Sequence, residues 1–191
     1  MRAVAVLDCT SAVTPRPESM ALKRNLLVAR ASFDPLEVPP SHPLRIYRAL
    51  MAGLKYPDSP GMGLRPLLER IEDPLPHLWL SPARFAVLSG EEELAEEVLS
   101  YVEGRASAVG QADLLRKALA AKGYRGAPML SLPDYRTFGQ VMAHLLGGVA
   151  SWAKKAGYGG LLVLLDEAEY FDQDRKSTRL NSSHSSVSRM P

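Results

Sequence analysis

The residues best suited to chemistry are Asp166 and Glu167, which come directly after the aliphatic run Leu161-Leu162-Val163-Leu164-Leu165. A short apolar run of this kind, released by Gly157, Gly159 and Gly160, reads as a strand buried on both faces. In a parallel sheet such a strand delivers the next residues of the chain to the carboxyl edge, where open α/β folds bind ligands. An aspartate there can help to hold a hard cation such as Mg²⁺, largely through coordinated water, because that ion prefers oxygen ligands and keeps part of its hydration shell. The neighbouring glutamate can orient or deprotonate a water that attacks a phosphate. A buried strand that simply ends in acidic residues at the surface would read the same way, and the local residues leave both readings open.

The other candidates carry less. Gly61-Met62-Gly63 lacks the third glycine of a dinucleotide fingerprint and comes after a loop, so a turn accounts for it. Cys9 is the single cysteine; it has no histidine near it in sequence and reads as a small buried hydrophobe. The histidines, His42, His77, His144 and His184, fall in no metal-ligand spacing, and His144 reads as a core-edge hydrogen-bonding residue. The glutamates between Glu91 and Glu97 read as a solvated helix face, and Glu169 as an exposed residue beside the acidic pair.

The elements that must position Asp166 and Glu167 are legible in outline. Arg2 to Cys9 fits a strand, and Leu26 to Phe33, ending at Asp34-Pro35, fits an interior strand leaving a sheet. Helices are expected over about Leu44 to Leu54, Leu64 to Ile71, the glutamate run to Gly104, and Gln111 to Lys122, while Pro74 to Pro82 gives no assignment. The clearest helix is expected over about Asp134 to Lys155, where Phe138, Val141, Met142, Leu145, Val149, Trp152 and Ala153 form one stripe. Gly147-Gly148 within it implies the close approach of another backbone.

Composition sets the outer bounds. The 191 residues are 46% hydrophobic and 23% charged, as in a globular chain of one domain, or of one domain plus a tail. No aliphatic run approaches the roughly 20 residues of a membrane-spanning helix, and Ala3 to Leu7 is too short for a signal-peptide core. The expected compartment is the cytoplasm. The formal charge of +2 belongs to the end of the chain: residues 174–191 carry +3, which leaves −1 for residues 1–173.

The stretch Gly157 to Glu169 resembles a Walker B motif, and in its wider context it resembles the ATP-binding proteins of BREX phage-defence systems and their P-loop relatives. Three further stretches match that family in the same order: Leu27-Val28-Ala29 to Asp34-Pro35 and on to Tyr47-Arg48-Ala49-Leu50-Met51; Tyr101-Val102-Glu103-Gly104; and Leu114 to Leu119. The resemblance covers about Ala21 to Phe171. It implies an α/β, P-loop NTPase-like fold with a mainly parallel sheet, a long helical insertion over about Leu44 to Lys155, and incomplete ends. It also implies ATP and Mg²⁺ as cofactors, with Asp166 at the metal through water and Glu167 catalytic. The implied partners are other proteins of the defence system, with DNA reached through that complex; there is no membrane partner, and an oligomer is compatible.

The same family needs a Walker A loop, Gly-x-x-x-x-Gly-Lys-Ser/Thr, whose backbone N–H groups and lysine neutralise the phosphates. This chain contains no such motif, and Met1 to Ser19, where the order would place it, holds no glycine. No phosphate-binding residue is therefore assigned. The expected organisation is a non-native start over 1–20, a partial P-loop ATPase domain over 21–173, and a disordered, artefactual tail over 174–191, since Asp174 to His184 resembles a translated sequencing adapter. Two functional classes are compatible with these features. One is a fragment of a BREX-type ATPase; the other is a non-catalytic P-loop-like interaction module whose acidic strand end is structural.

Overall fold

The computed structural model describes residues 4–8, 17–34, 36–39, 41–71, 78–106, 110–132 and 139–167. Cys9, His77, Phe138, Glu169, His184 and the whole of 174–191 lie outside the described residues, and so do the readings that rest on them.

Three strands, β1 (Val4–Asp8), β2 (Leu26–Ser32) and β3 (Gly160–Asp166), form a parallel sheet in the order β1-β3-β2. The aliphatic run that precedes the acidic pair is thus the central strand, with Val4 beside Leu161 on one side and Leu27 beside Leu161 on the other. A strand flanked on both sides and covered on both faces has no surface at which polar side chains can meet water, which is why Leu161 to Leu164 are all buried. The expectation that β2 lies in the interior of the sheet is corrected. Among the described residues it is a lateral strand, whose outer edge carries an isolated antiparallel bridge between Val28 and Lys55. Its apolar character comes from helices packed on its faces and not from a strand on each side.

Alternation along β2 and β3 divides the sheet into two faces. Leu27, Ala29, Ala31, Leu161 and Val163 join the main core, while Val28, Leu162 and Leu164 pack with Ala21 of α1 (Pro17–Lys23) in a smaller cluster. The main face is covered by α2 (Pro43–Ala52) and α7 (Gly139–Lys155), which also touch each other. Pro43 opens α2 at a position where its missing N–H costs nothing, and Leu44, Tyr47, Leu50 and Met51 form its buried stripe. Gly53 closes it, because a Cβ there would collide with the Arg30 carbonyl oxygen; the glycine lets the end of α2 abut β2 and sends Lys55 alongside Val28.

Between α2 and α7 the described elements are helices joined by turns and isolated bridges: α3 (Arg65–Arg70), a 3₁₀ turn (Leu78–Leu80), α4 (Ser81–Leu88), α5 (Glu92–Val102) and α6 (Gln111–Ala121). The long helical segment between β2 and β3 is therefore present, and it includes a helix, α4, that the proline-rich sequence around it concealed. The glutamate face of α5 is exposed as expected, with Glu92 and Glu96 paired to Arg65. Gly148 is explained differently from the expectation: the group that approaches it is the indole of Trp79, not a backbone, and Gly147 meets open space.

Candidate functional site

The register of β2 on β3 sets Ser32 opposite Asp166 and Arg30 opposite Leu164. By alternation Arg30, Ser32 and Asp166 lie on the α1 side of the sheet, just past the small cluster of Val28, Leu162 and Leu164. Apolar residues fill that face up to this level, and beyond it polar ones take over, so the carboxyl end of the sheet is a half-exposed polar rim on a dry floor.

Charged side chains run across this rim in alternating sign. Lys55 Nζ lies 2.7 Å from Glu18 Oε1, Glu18 Oε2 lies 4.0 Å from Arg30 Nη1, and Arg30 Nη2 donates to Asp166 Oδ2 at 2.5 Å. Glu18 comes from the first turn of α1, where a carboxylate also complements the helix dipole. Lys55 is fixed by its backbone, which exchanges two hydrogen bonds with Val28. Asp166 is oriented further by the Glu167 N–H, which donates to Oδ1 at 3.2 Å, while its own carbonyl accepts from the Phe33 N–H.

Glu167 has left-handed backbone, with φ at +58°. For a residue with a Cβ this costs about 1 to 2 kcal/mol. The turn directs the Glu167 side chain back across the strand end, where Oε2 accepts from Ser32 Oγ at 3.1 Å. Residues held in sparsely populated backbone conformations cluster at functional sites. Beyond β2, Asp34 accepts from the N–H groups of Leu36 and Glu37 in a tight turn; the Glu37 bond, then the Leu36 bond, holds its carboxyl below the usual carboxylate range.

The donor chemistry fits Mg²⁺ of the kind that arrives with a phosphate ester. Asp166 and Glu167 offer hard carboxylate oxygens and Ser32 a hydroxyl, all within reach of solvent, and Mg²⁺ commonly takes only one or two carboxylates and completes its shell with water and substrate oxygens. Among the described residues no group of three or more His, Cys, Asp or Glu side chains forms a metal cage.

Asp166 ends β3, and Glu167 follows it directly at the carboxyl end of the central strand. His144 is on the exposed side of α7. Gly61-Met62-Gly63 forms a structural turn: Met62 bridges to Lys55, Gly63 takes φ of +76°, and a Cβ there would sit 2.7 Å from Oε1 of the buried Glu103. That carboxylate accepts from the Leu64 N–H at 2.7 Å and from Arg105 Nε at 2.8 Å. Sequence reasoning missed Arg30, Ser32, Glu18 and Lys55. A signal existed for the first two, because Arg30 and Ser32 break the apolar run of β2 at a spacing of two and so mark one face.

Compared with protein-family models, with curated proteins and with solved structures, the chain matches none. Its family is not assigned by likeness. Among the described residues no helix is long and apolar enough to cross a membrane.

Proposed function

We propose that this chain is part of an Mg²⁺-dependent P-loop ATPase of the BREX phage-defence type, with Asp166 as the metal-holding residue and Glu167 as the water-orienting one. The observation that carries the reading is the placement of both carboxylates at the carboxyl end of the central parallel strand, with Glu167 in a strained left-handed turn. The sheet supports it further: β1, α1 and β2 come in sequence, and β3 lies between β1 and β2. That order leaves residues 9–16 as the segment leading from a strand end to a helix start, where a phosphate-binding loop belongs.

When bound, Mg²⁺ would neutralise charge on the transferred phosphoryl group. Asp166 would hold the ion, largely through coordinated water. Glu167 would accept a proton from, or align, the attacking water, its carboxylate directed by the hydrogen bond from Ser32 Oγ. ATP, other defence-system proteins and DNA reached through them are the ligands and partners of this reading.

Residues 9–16 read Cys-Thr-Ser-Ala-Val-Thr-Pro-Arg, with neither glycine nor lysine. Phosphate contacts supply much of the nucleotide affinity at such sites, so residues 1–191 are expected to bind ATP weakly and to hydrolyse it no faster than a control.

A second reading, the non-catalytic interaction module, is favoured by one observation: both carboxylates already have protein partners, Asp166 in Arg30 and Glu167 in Ser32. Recovery of the native coding sequence for the region before Ala21 from the source genome separates the two. A glycine-rich loop ending in Lys-Ser/Thr about one helix before Ala21 supports the ATPase, and its absence there supports the module.

A further inference from the structure

We infer that the amino edge of the sheet is a docking surface for the phosphate backbone of a nucleic-acid duplex, carried by Lys23, Arg24 and Lys155. The surface lies at the opposite end of β3 from Asp166 and Glu167 and does not depend on their assignment. Lys23 is in the last turn of α1 and Lys155 in the last turn of α7, helices that cover opposite faces of the sheet, and Arg24 follows Lys23 directly. All three are exposed. Lys154 stands beside Lys155 but makes a contact of its own, so it is not counted among them.

The two turns that carry these cations are tied together. Asn25 Nδ2 donates to the Gly157 carbonyl at 2.9 Å, and the Gly159 N–H donates to the Asn25 carbonyl at 2.7 Å. Arg24 and Lys155, far apart in sequence, are thereby held on adjoining turns. Asn25, Gly157 and Gly159 are exposed and present short side chains or none, and a Cβ at Gly157 would meet nothing within 4 Å. The edge is a fixed, open platform with cations on either side of it.

Charge complementarity names the occupant. There is no Asp or Glu from Ser19 to Phe33 or from Gly139 to Leu165. Asp58, which reaches this end through the Tyr158 hydroxyl, is already held by Arg70. Residues 1–173 carry a net −1, so these cations are a local feature and not the expression of a basic chain. Helix dipoles account for a cation in the last turn of α1 or α7, but Arg24 lies beyond its helix, and like charges gathered on one edge repel until a polyanion meets them. A duplex offers regularly spaced phosphates that point charges can meet without touching a base. A single strand is held by stacking on exposed aromatic rings, and the ring at this edge, Tyr158, is buried. An anionic membrane is held by clusters of roughly four to eight cations, more than this edge provides.

The test is fluorescence anisotropy of a labelled DNA duplex of mixed sequence, titrated with the 191-residue chain over a salt series. Arg24→Ala with Lys155→Ala should weaken binding about tenfold at about 50 mM salt and lower the slope of log affinity against log salt by about two. Charge reversal at the same positions, Arg24→Glu with Lys155→Glu, should abolish binding. Arg116→Ala with Lys117→Ala removes the same charge from exposed positions of α6 and should leave affinity within about twofold of the parent. Thermal unfolding of each variant confirms that it is folded. Equal losses in the two alanine pairs would mean that net charge alone attracts the duplex, and would overturn the inference. Three other results also overturn it: no duplex binding by the parent, tighter binding of a single strand of the same length, or dependence on Arg24 and Lys155 for phosphatidylserine vesicles but not for the duplex.

Discussion

The two ends of β3 are built differently although one continuous strand joins them. At the amino end, Tyr158 is buried, donates to Asp58 Oδ1 at 2.9 Å and accepts from Arg70 Nη1 at 2.7 Å, with the Arg70 guanidinium 4.6 Å from its ring centroid. The backbone there is closed as well: Asn25 Nδ2 donates to the Gly157 carbonyl, and the Gly159 N–H donates to the Asn25 carbonyl at 2.7 Å. Asp58 and Arg70 are themselves half exposed, but they close over a covered ring. At the carboxyl end the polar groups are partly exposed among the described residues. Asp166 and Glu167 are held by single side-chain partners that water or a ligand can replace, and Glu167 sits in a conformation that costs energy. One end locks the chain into the fold; the other is left exchangeable.

That contrast orders the expected effects of mutation. The largest belongs to the core behind the amino end: Trp152→Ala, on a fully buried side chain of α7, should cost about 3 to 5 kcal/mol in chemical denaturation. Asp166→Asn, at the other end of the strand, should change stability by less than about 1 kcal/mol. Equal losses in these two variants would break the comparison.

The next effect has the opposite sign. Glu167→Gly should raise stability by up to about 1 to 2 kcal/mol, because glycine removes the left-handed penalty, partly offset by its greater unfolded-state freedom. The same denaturation curves check it, and a loss of stability would mean that the Glu167 side chain is structural. Tyr158→Phe should cost about 1 kcal/mol through its lost hydrogen bonds, whereas Ser32→Ala should cost less than that.

The smallest effect is in acid. The hydrogen bond from Arg70 is the main influence holding Asp58 below the ordinary aspartate value of 3.8. A group depressed in the folded state stabilises fully above its unfolded value and loses that contribution as pH falls through the folded one. Melting temperature should thus fall more steeply below about pH 4 in the parent than in Asp58→Asn, and indistinguishable acid limbs would show that the pair contributes nothing.

The parts of the fold that were legible in the sequence rest on periodicity and punctuation. The five aliphatic residues before Asp166, the stripe of α7 and the break at Gly157 to Gly160 each carry a local signal, and β3 and α7 stand where those signals put them. The features that escaped depended on partners distant in sequence. Arg30 meets Asp166 across 136 positions, and Glu103 caps the turn at Leu64 across 39. Neither pairing leaves a trace in local spacing. The lateral position of β2 escaped for a related reason, since a strand covered by helices and one flanked by strands show the same apolar run. Helix α4 was hidden by Pro82, which reads as a breaker but sits in the first turn, where proline is tolerated.

The most direct measurement of the central claim is ATP turnover and ATP binding by the Glu167→Gln variant of the protein carrying a glycine-rich phosphate-binding loop between β1 and α1. The substitution removes a water-orienting charge and no phosphate contact, so turnover should fall by about a hundredfold or more while ATP affinity stays within about twofold. Turnover equal to that of the parent would contradict the assignment of Asp166 and Glu167 to the hydrolytic site.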